Sequence, residues 1–147
     1  MIQLAAPGVL MSKPSFIIVT DVDHQRLQST LQSAGGRTSP ATEALEAELS
    51  RAVVVPSERV PDTVITMRSR FVYEDEATHE ARVITLVYPT EANPKKDKVS
   101  VLSPLGTALL GLSVGQTIDW EVRKNCTKRY GIVELLYQPE AAGHFHL

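Results

Sequence analysis

Residues 99–120 read VSVLSPLGTALLGLSVGQTIDW, and the changes of period within this stretch decide the fold. Val99, Val101 and Leu102 predict a short strand. Ser103-Pro104 then starts a helix. A serine hydroxyl accepts from the first backbone N–H groups, and proline at the first helical position gives up no N–H that the helix needs. Leu105, Ala108, Leu109 and Leu112 follow at i, i+3, i+4 and i+7, a single apolar face at helical period. Gly111 can end the helix in the left-handed region, and Gly115 supplies a second permissive position for a turn. From Gln116 the period is two, with Ile118, Trp120 and Val122 on one face and Thr117, Asp119 and Glu121 on the other. The stretch reads strand, short buried helix, tight turn, strand.

Toward the N-terminus, residues 16–19 form a short extended run that leads into a helix over residues 22–33. Thr20 and Asp21 are suitable caps, and Leu27, Leu31 and Ala34 supply its seam. Gly35-Gly36 ends it. Ser39-Pro40 repeats the cap-then-proline start, and a second helix runs to about residue 52 with Leu45, Leu49 and Ala52 in step. Matching seams and a brief glycine turn predict an antiparallel helical hairpin. Residues 56–61, PSERVP, are a linker by composition. Beyond them Ile65, Met67, Phe71 and Tyr73 alternate with Thr66, Arg68 and Arg70, which predicts one strand. Residues 81–88 are apolar on both faces and predict a central strand. Residues 93–98 and 123–129 are basic loops, and residues 130–137 are the last strand. The expected fold is α+β: a helical hairpin in residues 1–55, then residues 56–147 as an antiparallel sheet domain with one short helix.

Composition narrows the function classes. The chain has 147 residues, an apolar fraction of 43% and a formal net charge of −2, so it has no general attraction to DNA or membrane. One cysteine permits no internal disulfide, which fits a reducing cytoplasm. No apolar run approaches the roughly 20 residues of a membrane span. Residues 2–10, IQLAAPGVL, lack a basic leader and are expected to be poorly ordered, with Met11 a plausible natural start.

SPLGTALLG, followed by the valine-glycine turn and a strand, resembles the C-terminal domain signature of the GreA/GreB transcript cleavage factors. ITLVYPTEA at residues 84–92 and ELLYQPEAAG at residues 134–143 place the resemblance in a shorter branch of that family, the nucleoside diphosphate kinase regulators. It runs from about Pro14 to Leu147. The resemblance implies an FKBP-like C-terminal domain and a partner, RNA polymerase, bound at the rim of its secondary channel, with nucleic acid met only inside the transcription complex. It also implies a link to nucleoside diphosphate kinase, direct or through expression. Candidate polymerase contacts are Ser103, Pro104, Leu105 and Gly106 of the signature, Lys124 and Arg129 of a basic loop, and Arg37 at the hairpin tip.

The family's cleavage chemistry does not carry over. It uses paired carboxylates at the hairpin tip to hold Mg²⁺, a cation that wants oxygen ligands. Here residues 34–39 read AGGRTS, with no acid and one arginine. Helices of about 12 residues also reach only about 18 Å. No catalytic residue, cofactor or metal site is therefore assigned. His144 and His146 lack a partnered cluster, and Cys126, between Lys124 and Lys128, has no base beside it. A third reading, a prolyl isomerase, needs an aromatic-lined pocket, whereas Trp120, Phe71 and Tyr137 fall in core-facing patterns. Aromatics do not interleave with the basic loops, which disfavours a stacking surface for single strands.

Overall fold

A computed structural model describes residues 9–14, 16–33 and 39–145. Strand β1 (Val9–Ser12) is followed by β2 (Ile18–Thr20), helix α1 (Asp21–Ser33), helix α2 (Pro40–Ser50) and β3 (Val53–Val55). Then come β4 (Arg70–Asp75), β5 (Ala81–Val87), β6 (Lys98–Ser100), helix α3 (Pro104–Leu109), β7 (Thr117–Arg123) and β8 (Cys126–Tyr137). The α+β class is as expected.

The main sheet has the order β1-β7-β8-β4-β5-β6. It is mixed rather than antiparallel, because β6 lies parallel to β5, with Thr85 opposite Lys98 and Val87 opposite Ser100. The residues expected to be a plain loop are the reason. Short 3-10 turns at Pro89–Glu91 and Pro94–Lys96 carry the chain back to re-enter in the same direction. Of the segment expected to be poorly ordered, residues 2–8 lie outside the described residues, whereas residues 9 and 10 are in a strand. Val9 and Leu10 pair with Glu121 and Trp120, so β1 covers the edge of β7. A separate two-stranded parallel sheet joins β2 to β3, with Ile18 opposite Val53.

The expected strand over residues 65–73 begins only at Arg70. Thr66 N–H donates to Ser69 Oγ at 2.9 Å, and Arg68 takes φ 65°, so residues 66–69 are a turn. Alternation survives because the turn still buries Ile65 and Met67 beside Phe71 and Tyr73. The basic loop expected over residues 123–129 is a tight hairpin around Asn125 (φ 63°), and Lys128 and Arg129 stand within β8.

The helices begin where the caps placed them. Thr20 Oγ1 accepts from Asp23 N–H at 3.0 Å, and Ser39 and Thr42 cap each other at the start of α2. The glycine turn and Ala34 lie outside the described residues. Leu27 of α1 and Leu45 and Leu49 of α2 join Phe71, Ile84, Leu86, Leu105, Leu109 and Trp120 in one apolar cluster, so the core crosses the expected boundary at residue 55. Each such leucine contributes about 1.5–3 kcal/mol by leaving water. Ser103 Oγ accepts from Gly106 N–H at 3.0 Å to start α3, and Gly111 (φ 80°) turns the chain after it.

Candidate functional site

The signature that suggested a docking surface is divided between outside and inside. Pro104 is exposed and Ser103 half-buried, while Leu105 and Gly106 are buried. Gly106 is required by packing, since a Cβ there would run into the Ser100 carbonyl oxygen. Leu105 and Gly106 thus shape this corner from within and present no side chain to a partner. Above them, α2 and α3 flank a mainly apolar groove of about 700 Å³. Ala41, Ala44 and Ala47 form one wall, Pro104 and Ala108 the other, and Leu10 and Trp120 border it. Alanine on one wall keeps the groove open, because longer side chains would fill it.

The charged candidates are spread over the sheet. Lys124 is exposed at the β7–β8 turn. Arg129 is exposed too, but its Nε donates to Asp119 Oδ1 at 2.9 Å, which places a carboxylate against the cation. Lys128 pairs with Asp75 at 2.9 Å, and that ammonium holds the Asp75 carboxyl below the usual carboxylate range. Lys95 and Lys96 precede β6, the opposite edge of the sheet from β1, and four strand spacings of about 4.8 Å separate β6 from β7. The two basic clusters are not brought together. Arg37 lies outside the described residues.

Aromatic side chains offer little surface. Trp120 and Phe71 are fully buried, as their patterns predicted. Tyr137 is not core: it stands half-buried at the end of β8, with its hydroxyl 2.7 Å from His144 Nδ1. His146 lies outside the described residues. Among the described residues no group of three or more His, Cys, Asp or Glu is placed to hold a metal ion. No helix among them is long and apolar enough to cross a membrane.

Two polar clusters escaped the sequence reading because their members are far apart in the chain. Lys13 Nζ lies 3.3 Å from Glu48 Oε1, and Arg51 Nε lies 2.8 Å from Glu48 Oε2 while its Nη1 donates to the Pro14 carbonyl at 3.1 Å. Burial lowers the Lys13 pKa to about 8 despite Glu48. The cluster clamps residues 13–14 to α2. At the other end, Asp23 of α1 is buried and accepts from Met67 N–H at 3.0 Å. Burial raises its pKa to about 6, with Glu140 adding to the effect and the Met67 hydrogen bond opposing it. Glu140 in turn accepts from Thr66 Oγ1 at 2.7 Å. The helix pair is thus pinned to the turn over residues 66–69. An Asp at the start of a helix signals a cap, and nothing local marked it as a buried tether.

Comparison with known proteins identifies this assembly. Residues 60–137 match the family described as transcription elongation factor GreA/GreB, C-terminal, and residues 16–55 match the Rnk N-terminus. The chain belongs to the GreA/GreB family. Among relatives of this GreA/GreB chain, the regulator of nucleoside diphosphate kinase from Escherichia coli K12 is 41% identical over 93% of the chain and 100% of its own length. GreA of Thermodesulfovibrio yellowstonii is 30% identical, over 64% of the chain and 59% of GreA. A solved GreA/GreB factor from Nitrosomonas europaea superimposes with a TM-score of 0.70 at 39% identity, covering 85% of this chain and all of that one. The GreA/GreB match falls on the sheet domain and α3. The Rnk match falls on β2, α1, α2 and β3, the segment that carries the Asp23 tether and Glu48.

Proposed function

We propose that this protein is a non-catalytic transcription regulator that binds RNA polymerase near the secondary channel and competes there with Gre factors without stimulating transcript cleavage. The observation that carries the reading is a GreA/GreB body joined to a tip, AGGRTS at residues 34–39, that has no carboxylate. An Mg²⁺-assisted cleavage step needs hard oxygen ligands at the metal, and arginine supplies none. Length supports it as well: α1 has 13 residues and α2 has 11, so they extend about 20 Å and about 16 Å. In this account the C-terminal body docks on the channel rim, with Pro104, the α2–α3 groove and Lys124 as its contacts, and the helix pair points inward. Such a protein acts by occupancy.

The second reading, regulation of nucleoside diphosphate kinase by direct binding, is favoured by the name of the relative from Escherichia coli. Pull-down against purified RNA polymerase and, separately, against purified kinase distinguishes them. Retention on polymerase that is lost in Pro104→Glu and Lys124→Glu, with the fold intact, is the expected result. Retention on the kinase alone would replace the first reading by the second.

A further inference from the structure

A groove between α1 and the segment after β5, lined by charged and polar side chains over an apolar floor, lies apart from the core. Its volume is about 910 Å³. Gln25, Arg26 and Ser29 line it from one face of α1, and Arg68, Tyr88 and Glu91 line it from the other side. Arg68 holds φ 65°, a left-handed conformation that a bulky residue keeps only where the surroundings fix it. Its N–H donates to the Leu86 carbonyl at 2.6 Å. Its guanidinium lies over the Tyr88 ring, 5.1 Å from the centroid, with Nη2 3.0 Å from Glu91 Oε2.

The Tyr88 hydroxyl is buried beside the Arg26 guanidinium, a donor to its oxygen, and no acceptor for its proton stands among the described residues. Burial, followed by the Asp23 charge, pushes its pKa well above the usual phenol value, so the proton stays on. That proton needs an acceptor, and the neighbouring Arg26 can only donate. A buried hydroxyl left in this state is destabilising. Two guanidinium groups and one orphaned O–H therefore converge on one groove. Their charge is balanced by Asp23 and Glu91, and Glu91 holds Arg68.

We propose that this groove binds a phosphate-bearing small molecule whose phosphate oxygens accept from the Tyr88 hydroxyl and from Arg26 and Arg68, with Glu91 as the internal anion it displaces. Phosphate fits better than carboxylate because it presents more acceptor oxygens to converging donors and matches the guanidinium fork. The groove is within the usual range for small-ligand sites, about 300–1,000 Å³, and is larger than a bare phosphate. The rest of the ligand lies along Ser29 toward an adjoining depression of about 370 Å³ bordered by Ser33, Pro89 and Leu102.

The test is a titration of the full chain with inorganic pyrophosphate at fixed ionic strength, with acetate as the control anion. Saturable pyrophosphate binding, stronger than that of acetate, is expected. Arg68→Gly removes the guanidinium while suiting the backbone, and Tyr88→Phe removes only the hydroxyl. Each should weaken binding about tenfold or more, the scale of one hydrogen bond to a charged group. Glu91→Gln should strengthen it by removing the competitor. Absence of saturation by about 10 mM, an affinity too weak for a built site, overturns the proposal. So does binding indifferent to Arg68→Gly and Tyr88→Phe, or weakened by Glu91→Gln.

Discussion

Asp23 has a role that its local sequence does not show. As a helix-start aspartate it would be exposed and ionised, stabilising through the helix dipole by a few tenths of a kcal/mol. Buried against Met67, it instead has a pKa of about 6. Between the ordinary carboxylate value and 6 the folded chain holds this proton and the unfolded chain does not, so stability falls as pH rises through that window and stays low above it. A shift of about two units corresponds to roughly 3 kcal/mol. Asp23→Asn keeps an oxygen for Met67 N–H and removes the charge. Urea melts from pH 4.5 to 8 should show a decline through pH 6 that the variant lacks, leaving the variant more stable at neutral pH. Parallel profiles would show that Asp23 titrates normally. The signal was invisible in the sequence because Met67 and Glu140, the groups that define the environment, lie 44 and 117 positions away.

At the scale of elements, local chemistry was legible and pairing was not. Ser39-Pro40, Ser103-Pro104 and Gly111 each act where their backbone chemistry places them, because caps and left-handed turns are short-range. The direction of β6 depends on two 3-10 turns whose net path no periodicity reveals. The turn over residues 66–69 hides inside an alternating pattern because burial, which the pattern reports, is shared by strand and turn. Arg68 at positive φ left no mark in the sequence, whereas a glycine would have. Part of the docking signature proved to be packing: α3 sits on β6 through Gly106. Gly106→Ala should cost about 1–3 kcal/mol by overpacking against Ser100, measured by chemical denaturation. A loss near zero would mean that α3 can lift from β6 without strain.

For the molecule as a whole, one apolar cluster spans the helix pair and the sheet, and Asp23–Met67 and Lys13–Glu48 add polar ties. In the proposed reading, a short helix pair packed on the sheet suits a factor that fills a site without acting in it. The family was legible in the sequence, and the candidate site was legible only through that resemblance. It was not legible as geometry, because where the two basic loops stand relative to one another depends on the order of strands in the sheet, which no periodicity reveals. RNA cleavage in a backtracked elongation complex measures occupancy without chemistry. Titrated in with a fixed amount of Gre factor, the protein should lower cleavage in proportion to its occupancy, and alone it should produce none above the polymerase's own. Cleavage stimulated by the protein alone, or Gre-dependent cleavage unchanged when the protein is in saturating excess, would contradict the account.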